Sequence, residues 1–255
     1  MDLGLRDRVV LITGAGGGAG PTLARAFADE GAWVALHHRG GGSASATRAE
    51  ATSADIAAAG GRAIAVAADL GSTDEIEAMV ERIAAELGAV GVLVTATSAY
   101  KSEKFPEIND ASWSEVVDDL LGATFRVSRA VVPGMQASGW GRIVNIAARS
   151  GLVGVARSTH YAAAKAGIIG LTASLAKELG PTGILVNAVA PTQILTEKDG
   201  VPSIPPERAT EMAKTIPLRR LATPDDLATL VVWLGSAANT YVSGETISLT
   251  GGDQR

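Results

Sequence analysis

The chain has 255 residues, 47% of them hydrophobic and 19% charged, the balance of an ordinary globular protein with material for a substantial core. It contains no cysteine, which excludes disulfides, thiolate metal sites and cysteine nucleophiles together. The net charge of -5 is spread along the chain without a basic block, and neither a basic-apolar leader nor a run of about 18 apolar residues is present, so a cytoplasmic protein that meets no nucleic acid and no membrane is expected.

Short β-branched runs at residues 8–13, 33–38, 63–68, 90–95, 141–147, 184–190 and 246–251 alternate with alanine-rich stretches of helical period such as 21–31 and 74–88. This order predicts an α/β fold with seven mostly parallel strands and helices on both faces. The near-continuous apolar strands suit a sheet buried on both sides. No linker or internal repeat divides the chain, so residues 1–255 read as one domain.

The first strand runs into "LITGAGGGAGPTLARAF", which sets Thr13, Gly14, Gly18 and Gly20 between strand and helix, with Pro21 near the helix start where its missing N–H costs nothing. Glycines let the backbone turn sharply and approach a pyrophosphate, and the helix start offers free N–H groups and a dipole for the anion. A dinucleotide site is the expectation. The second strand ends in His38 and Arg39, where such folds often place an acid for the adenosine ribose. An arginine there suits a 2'-phosphate, which favours NADP(H) over NAD, although Gly17 contributes no second basic group. His37 and His38 point to opposite faces of a strand and lack further ligands, so no metal site is expected.

Two tyrosines precede a lysine by four residues. Tyr161 and Lys165, in "THYAAAKAG", share one face of a helix. Bringing a phenol from about 10 to about 7 takes about 4 kcal/mol, which a neighbouring ammonium and a bound cofactor cation could supply, so the pair reads as an acid–base group with a lysine able to hold ribose hydroxyls. Tyr100 and Lys104 have the same separation, but Pro106 follows and no helical period surrounds them, so that pair reads as a loop coincidence. His160 is turned away from the Tyr161 face and reads as structural. Residues 191–218 carry five prolines and mixed charges, the composition of a substrate lid or a disordered loop.

Taken together, Thr13-Gly14-x3-Gly18-x-Gly20, Asp69 in "AADL", Tyr161-x3-Lys165, "NAVAP" at 187–191 and "GG" at 251 and 252 resemble the short-chain dehydrogenase/reductase family across essentially the whole chain. The resemblance implies a Rossmann-type, doubly wound strand order and a homo-oligomer, tetramer or dimer, formed through the helices flanking the sheet. It implies that Tyr161 exchanges a proton with a substrate carbonyl or alcohol, that Lys165 tunes it and binds the nicotinamide ribose, that Asp69 contacts adenine and that Thr196 approaches the carboxamide. The activity implied is that of an NADP-dependent, ketoreductase-like oxidoreductase.

Four departures from the family pattern surround one pocket. Ala148 stands for the catalytic serine, Thr95-Ala96-Thr97-Ser98 for the "NNAG" after the fourth strand, Leu120 for the asparagine that anchors a relay water, and Thr192 for the glycine after Pro191. A lost hydroxyl donor of this kind is typically worth about 10² to 10³ in rate. Three accounts stay open: a reductase in which Ser150, Ser98, Thr97 or a substrate group replaces the donor; a non-redox dehydratase, isomerase or cyclase using Tyr161 and Lys165; and an inactive cofactor-binding or partner subunit. The apolar character of "GLVGVARST" before Tyr161 and of the lid points to a medium to large, uncharged small-molecule substrate, such as a cyclic ketone or a polyketide-like compound.

Overall fold

Seven of the apolar runs become strands of one sheet in the computed structural model, which describes residues 2–198 and 200–253. They are β1 (Val9–Thr13), β2 (Trp33–His38), β3 (Arg62–Ala67), β4 (Val90–Thr95), β5 (Gly141–Ile146), β6 (Ile184–Pro191) and β9 (Thr246–Leu249), with a small hairpin of β7 (Glu197–Lys198) and β8 (Val201–Pro202) between the last two. The helices are α1 (Gly20–Asp29), α2 (Ala44–Ala58), α3 (Thr73–Glu86), α4 (Asp110–Val117), α5 (Ala123–Ser138), α6 (Arg149–Val153), α7 (Thr159–Leu179), α8 (Pro206–Ala213) and α9 (Pro224–Leu234). A π-helical turn, Asp118–Gly122, joins α4 to α5.

The strand order is β3-β2-β1-β4-β5-β6-β9, and every pairing in it is parallel. The sheet is thus wholly parallel, because each connection crosses over through at least one helix or long loop. Side chains alternate between two apolar layers: Val10, Ile12, Val34 and Leu36 face the layer of α1 and α9, while Val9, Leu11 and Ala35 face the layer of α3 and α5. The chain reverses its direction of winding between β1 and β4, where Thr13 pairs with Thr95, and the carboxyl ends of these two strands therefore open a crevice.

Four helix starts are capped by side chains. Ser43, Ser72 and Asn109 each accept a backbone N–H three residues ahead, and Thr223 with Asp226 forms a capping box. α1 is among the helices without such a cap: its N-cap is Ala19, no side chain caps it, and its first turn carries no acid. Its leading N–H groups and positive dipole end lie at the glycine turn without a compensating side chain.

The segment 191–218 is more structured than its composition suggested. Beside the hairpin it holds α8, and Ile204, Ile216 and Leu221 form a buried cluster of their own with Ala209 and Met212 against it. Pro206 opens α8, a position where a missing N–H is harmless, so the prolines here delimit elements and do not abolish them. Asp199 lies outside the described residues.

Candidate active site

At the carboxyl ends of the central strands lies a cleft of about 1020 Å³, which runs from the glycine turn to Tyr161 and the segment 191–196. The glycine turn is held by its surroundings. Gly14 has φ of +65°, and a Cβ there would sit 2.9 Å from the Ala96 carbonyl oxygen. At Gly18 a Cβ would lie 2.6 Å from the Cβ of Thr196, so the lid-side threonine packs directly on the turn. Gly20 opens α1. His37 fixes the turn from behind: its Nδ1 accepts the Gly14 N–H (3.1 Å) and its Nε2 donates to the Ala68 carbonyl (3.0 Å). Burial pushes its pKa down to about 4, so the ring stays neutral and keeps this tautomer. His38 accepts the Gly40 N–H at Nδ1 (3.0 Å) and lines the cleft.

Arg39 reaches across the same end, with Nη2 3.0 Å from Asp119 Oδ2, and this carboxylate holds the guanidinium firmly charged. A second guanidinium arrives that sequence reasoning missed. Arg48, one turn into α2, donates from Nε to the Gly16 carbonyl (2.9 Å) and lines the cleft beside Arg39. Its place depends on how α2 folds back over the turn, which spacing along the chain does not reveal.

Two of the expected cofactor contacts do not line the cleft. The Thr13 hydroxyl accepts the Ala96 N–H (3.2 Å) and ties β1 to the loop after β4. Asp69 is exposed and accepts the Gly71 N–H (2.9 Å), and its neighbours Ala68, Leu70 and Gly71 line the cleft.

Tyr161 and Lys165 project from α7 into the cleft on one helical face. Lys165 is buried, its Nζ donates to the Ile146 carbonyl (2.7 Å), and it lies 5.9 Å from the Tyr161 ring centroid. Desolvation pulls its pKa down to about 8. In the protein alone, burial, with Tyr100 adding to it, pushes Tyr161 up to about 12, and the downward shift expected from the sequence would need the cofactor cation as well as the ammonium. The ammonium is engaged by a carbonyl, and a desolvated phenolate is the costlier form. In this arrangement Tyr161 is a protonated donor at neutral pH.

Tyr100 belongs to this site after all. Its ring meets Tyr161 edge to face, centroids 5.2 Å apart at 77°. Its supposed partner Lys104 turns away to Glu107 (3.7 Å), so the Tyr100 and Lys104 spacing is the coincidence it seemed while the tyrosine itself is not. His160 is structural as read: fully buried, it donates from Nε2 to Glu103 (3.1 Å) and accepts the Tyr161 N–H at Nδ1 (3.0 Å).

The departures also converge. Ala148 lines the cleft at the start of α6, and Leu120 is fully buried in the π-helical turn, in one apolar cluster with Ala147, Ala164 and Tyr161. Thr97, Ser98 and Ser150 all line the cleft, and the Ser150 hydroxyl is buried without a partner among the described residues. Arg149, unnoticed in the sequence, pairs with Asp253 (3.0 Å) at the same end. In "NAVAP", Asn187 is a staple: its amide donates to the Val242 carbonyl (2.7 Å) and accepts the Glu245 N–H (3.2 Å), fastening β6 to the approach of β9.

This architecture has close counterparts. Nodulation protein G of Azospirillum brasilense is 35% identical over 248 residues, which cover 97% of this chain and 98% of that protein. The 3-oxoacyl-acyl-carrier-protein reductase of Staphylococcus epidermidis is 33% identical over 246 residues, 96% of this chain and 98% of that one. Among solved structures, a gluconate 5-dehydrogenase from Burkholderia cenocepacia, in complex with NADP and tartrate, superposes with a TM-score of 0.89 at 27% identity, covering 98% of this chain and 96% of that one. The short chain dehydrogenase family model matches residues 8–201, from β1 through the glycine turn and the Tyr161 helix into the lid. A parallel sheet with its glycine turn at the winding reversal, and a tyrosine and lysine on the helix beyond β5, thus have the same source: the chain belongs to the short-chain dehydrogenase family and is a nicotinamide-dependent oxidoreductase.

Proposed function

We propose that the chain is an NADP-dependent, ketoreductase-like enzyme that reduces a carbonyl of a medium to large, largely uncharged small molecule, with Tyr161 as the acid–base group and Lys165 beside it. The observation that carries this reading is the shared cleft: a protonated phenol next to a buried amine at one end, a glycine turn with two guanidiniums at the other.

The residues present suit a dinucleotide. The uncapped start of α1 and the glycine turn would hold a pyrophosphate, Arg39 and Arg48 a 2'-phosphate, Lys165 the nicotinamide ribose and Thr196 the carboxamide. Bound NADPH supplies the hydride. Tyr161 keeps its proton at neutral pH and can release it to the carbonyl oxygen as negative charge develops there, which favours the reductive direction. Thr97, Ser98 and Ser150, among the hydroxyls that line the cleft, would assist where Ala148 has none.

An uncharged substrate fits the electrostatics at the Tyr161 end. Lys101 is engaged by Glu103 (3.6 Å) and Glu115 (3.4 Å) and Arg149 by Asp253 (3.0 Å), so both of these cations already face carboxylates. The Burkholderia neighbour, solved with NADP, supports the nucleotide part of the reading, and the 3-oxoacyl reductase name of the staphylococcal relative supports carbonyl reduction. Part of the proposal is also that 191–218 serves as the lid and that the chain works in the cytoplasm as a homo-oligomer, a dimer or tetramer. Phe105, Trp113 and Phe125 give apolar surface around α4 and α5 to such an interface.

The test is NADPH oxidation, followed by nicotinamide absorbance, with a panel of cyclic ketones. Activity that falls by about 10² or more in Tyr161→Phe is the expected result. Absence of NADPH binding, or Tyr161→Phe turnover equal to the parent, would overturn the assignment. Ala148 and Leu120 together favour one second reading, a dehydration or isomerisation by Tyr161 and Lys165, whose mark is turnover without any nicotinamide.

A further inference from the structure

Tyr100 is an aromatic side chain exposed to 59% on a stretch, residues 96–104, that has no regular secondary structure. An irregular loop of this kind is ordinarily mobile, and an exposed ring gains nothing from burial there. This one is fastened just beyond the ring, at Lys101 and Glu103. The Ser158 hydroxyl donates to the Lys101 carbonyl (2.9 Å), and the Glu103 N–H donates to the Arg157 carbonyl (2.7 Å). The Glu103 carboxylate accepts from the Ser112 hydroxyl and from His160 Nε2 (3.1 Å), and Lys101 Nζ donates to the same Ser112 (3.0 Å). Ser158 and His160 are fully buried and Ser112 nearly so, which places the anchors on the rigid body of the protein. The ring packs edge to face on the Tyr161 ring and lines the cleft, whose wall also includes the apolar side chains of Val155, Met212 and Ile216.

We infer that Tyr100 is a specificity-determining residue, a fixed aromatic face against which the cleft selects carbonyl compounds with a flat, conjugated body. The inference rests on the reductase reading in calling that compound a substrate. Edge-to-face and offset-stacked contacts with a ring discriminate aromatic from saturated groups of equal size, because the ring carries a quadrupole as well as area. Glu103 is a positioning residue that acts through Tyr100.

The experiment compares 2-tetralone with 2-decalone, bicyclic ketones that differ in one aromatic ring. Their dissociation constants are measured by calorimetry on the full chain in the presence of NADP+, and NADPH oxidation is followed separately. The parent protein is expected to bind 2-tetralone about three- to ten-fold more tightly, the range a ring contact is worth. Tyr100→Leu should abolish that preference by weakening 2-tetralone alone, Tyr100→Phe should restore it, and in turnover the change should fall on KM while kcat holds. Equal binding in the parent, no binding of either ketone, or an equal loss of both in Tyr100→Leu overturns the inference. A preference that collapses in Tyr100→Leu without any NADPH oxidation would uphold Tyr100 and sink the reductase reading; oxidation with an unchanged ratio would do the reverse.

Discussion

Replacing Lys165 by methionine should alter how stability depends on pH. The amine is 3% exposed and its bonded partner is the neutral Ile146 carbonyl, so folding removes water from a cation without giving it an anion. Its pKa accordingly sits at about 8, against about 10.4 in an unfolded chain. Between those values the unfolded chain binds more protons than the folded one, so stability rises with pH through that window and the penalty is complete below it. The gap corresponds to about 3 kcal/mol at pH about 7, of which roughly 1 kcal/mol remains at pH about 9.5. Lys165→Met has nothing to titrate there. Urea unfolding of both proteins at the two pH values, with midpoints compared at a common m, should show the parent gaining about 2 kcal/mol on the variant at the higher pH. The pH-independent loss of the bond to Ile146 cancels in that difference. A difference that stays flat would mean that the ammonium is hydrated, and one of opposite slope would mean that it has an anionic partner.

Two further outcomes test the two ends of the cleft. Arg39→Ala should weaken NADPH by about ten-fold in a nicotinamide fluorescence titration, and Arg48→Ala similarly, while NADH changes by less than about two-fold; equal losses for both nucleotides would remove the 2'-phosphate from the assignment. Ala148→Ser should retain or raise turnover on generic ketones, by up to about 10² where a hydroxyl donor is what the site lacks, and a steep loss with no gain on any ketone would show a pocket organised differently from the family's.

What the sequence disclosed was the part of the site governed by local rules. The glycine turn follows β1 directly, and Tyr161 and Lys165 lie one helical turn apart, so strand and helix periods suffice to find them. The contacts that complete the site join distant residues: Arg39 meets Asp119 across 80 positions and Arg149 meets Asp253 across 104. Arg48 and Tyr100 escaped for the same reason, since each is placed by packing between elements. Spacing announces the amine near Tyr161 but not the loss of water that pushes the phenol up in the protein alone. The lid resisted analysis because its strands are two residues long and its helix eight, too short for a period to show.

The contact of Thr196 with Gly18 ties together two halves of the cleft that serve different guests. A side chain at position 18 would strike that threonine, so the bare glycine keeps the segment that leads into the β7–β8 hairpin seated on the turn. A nucleotide on the glycine turn would therefore lie against the residue that opens the proposed lid, and a change at either position would be felt at both ends of the cleft.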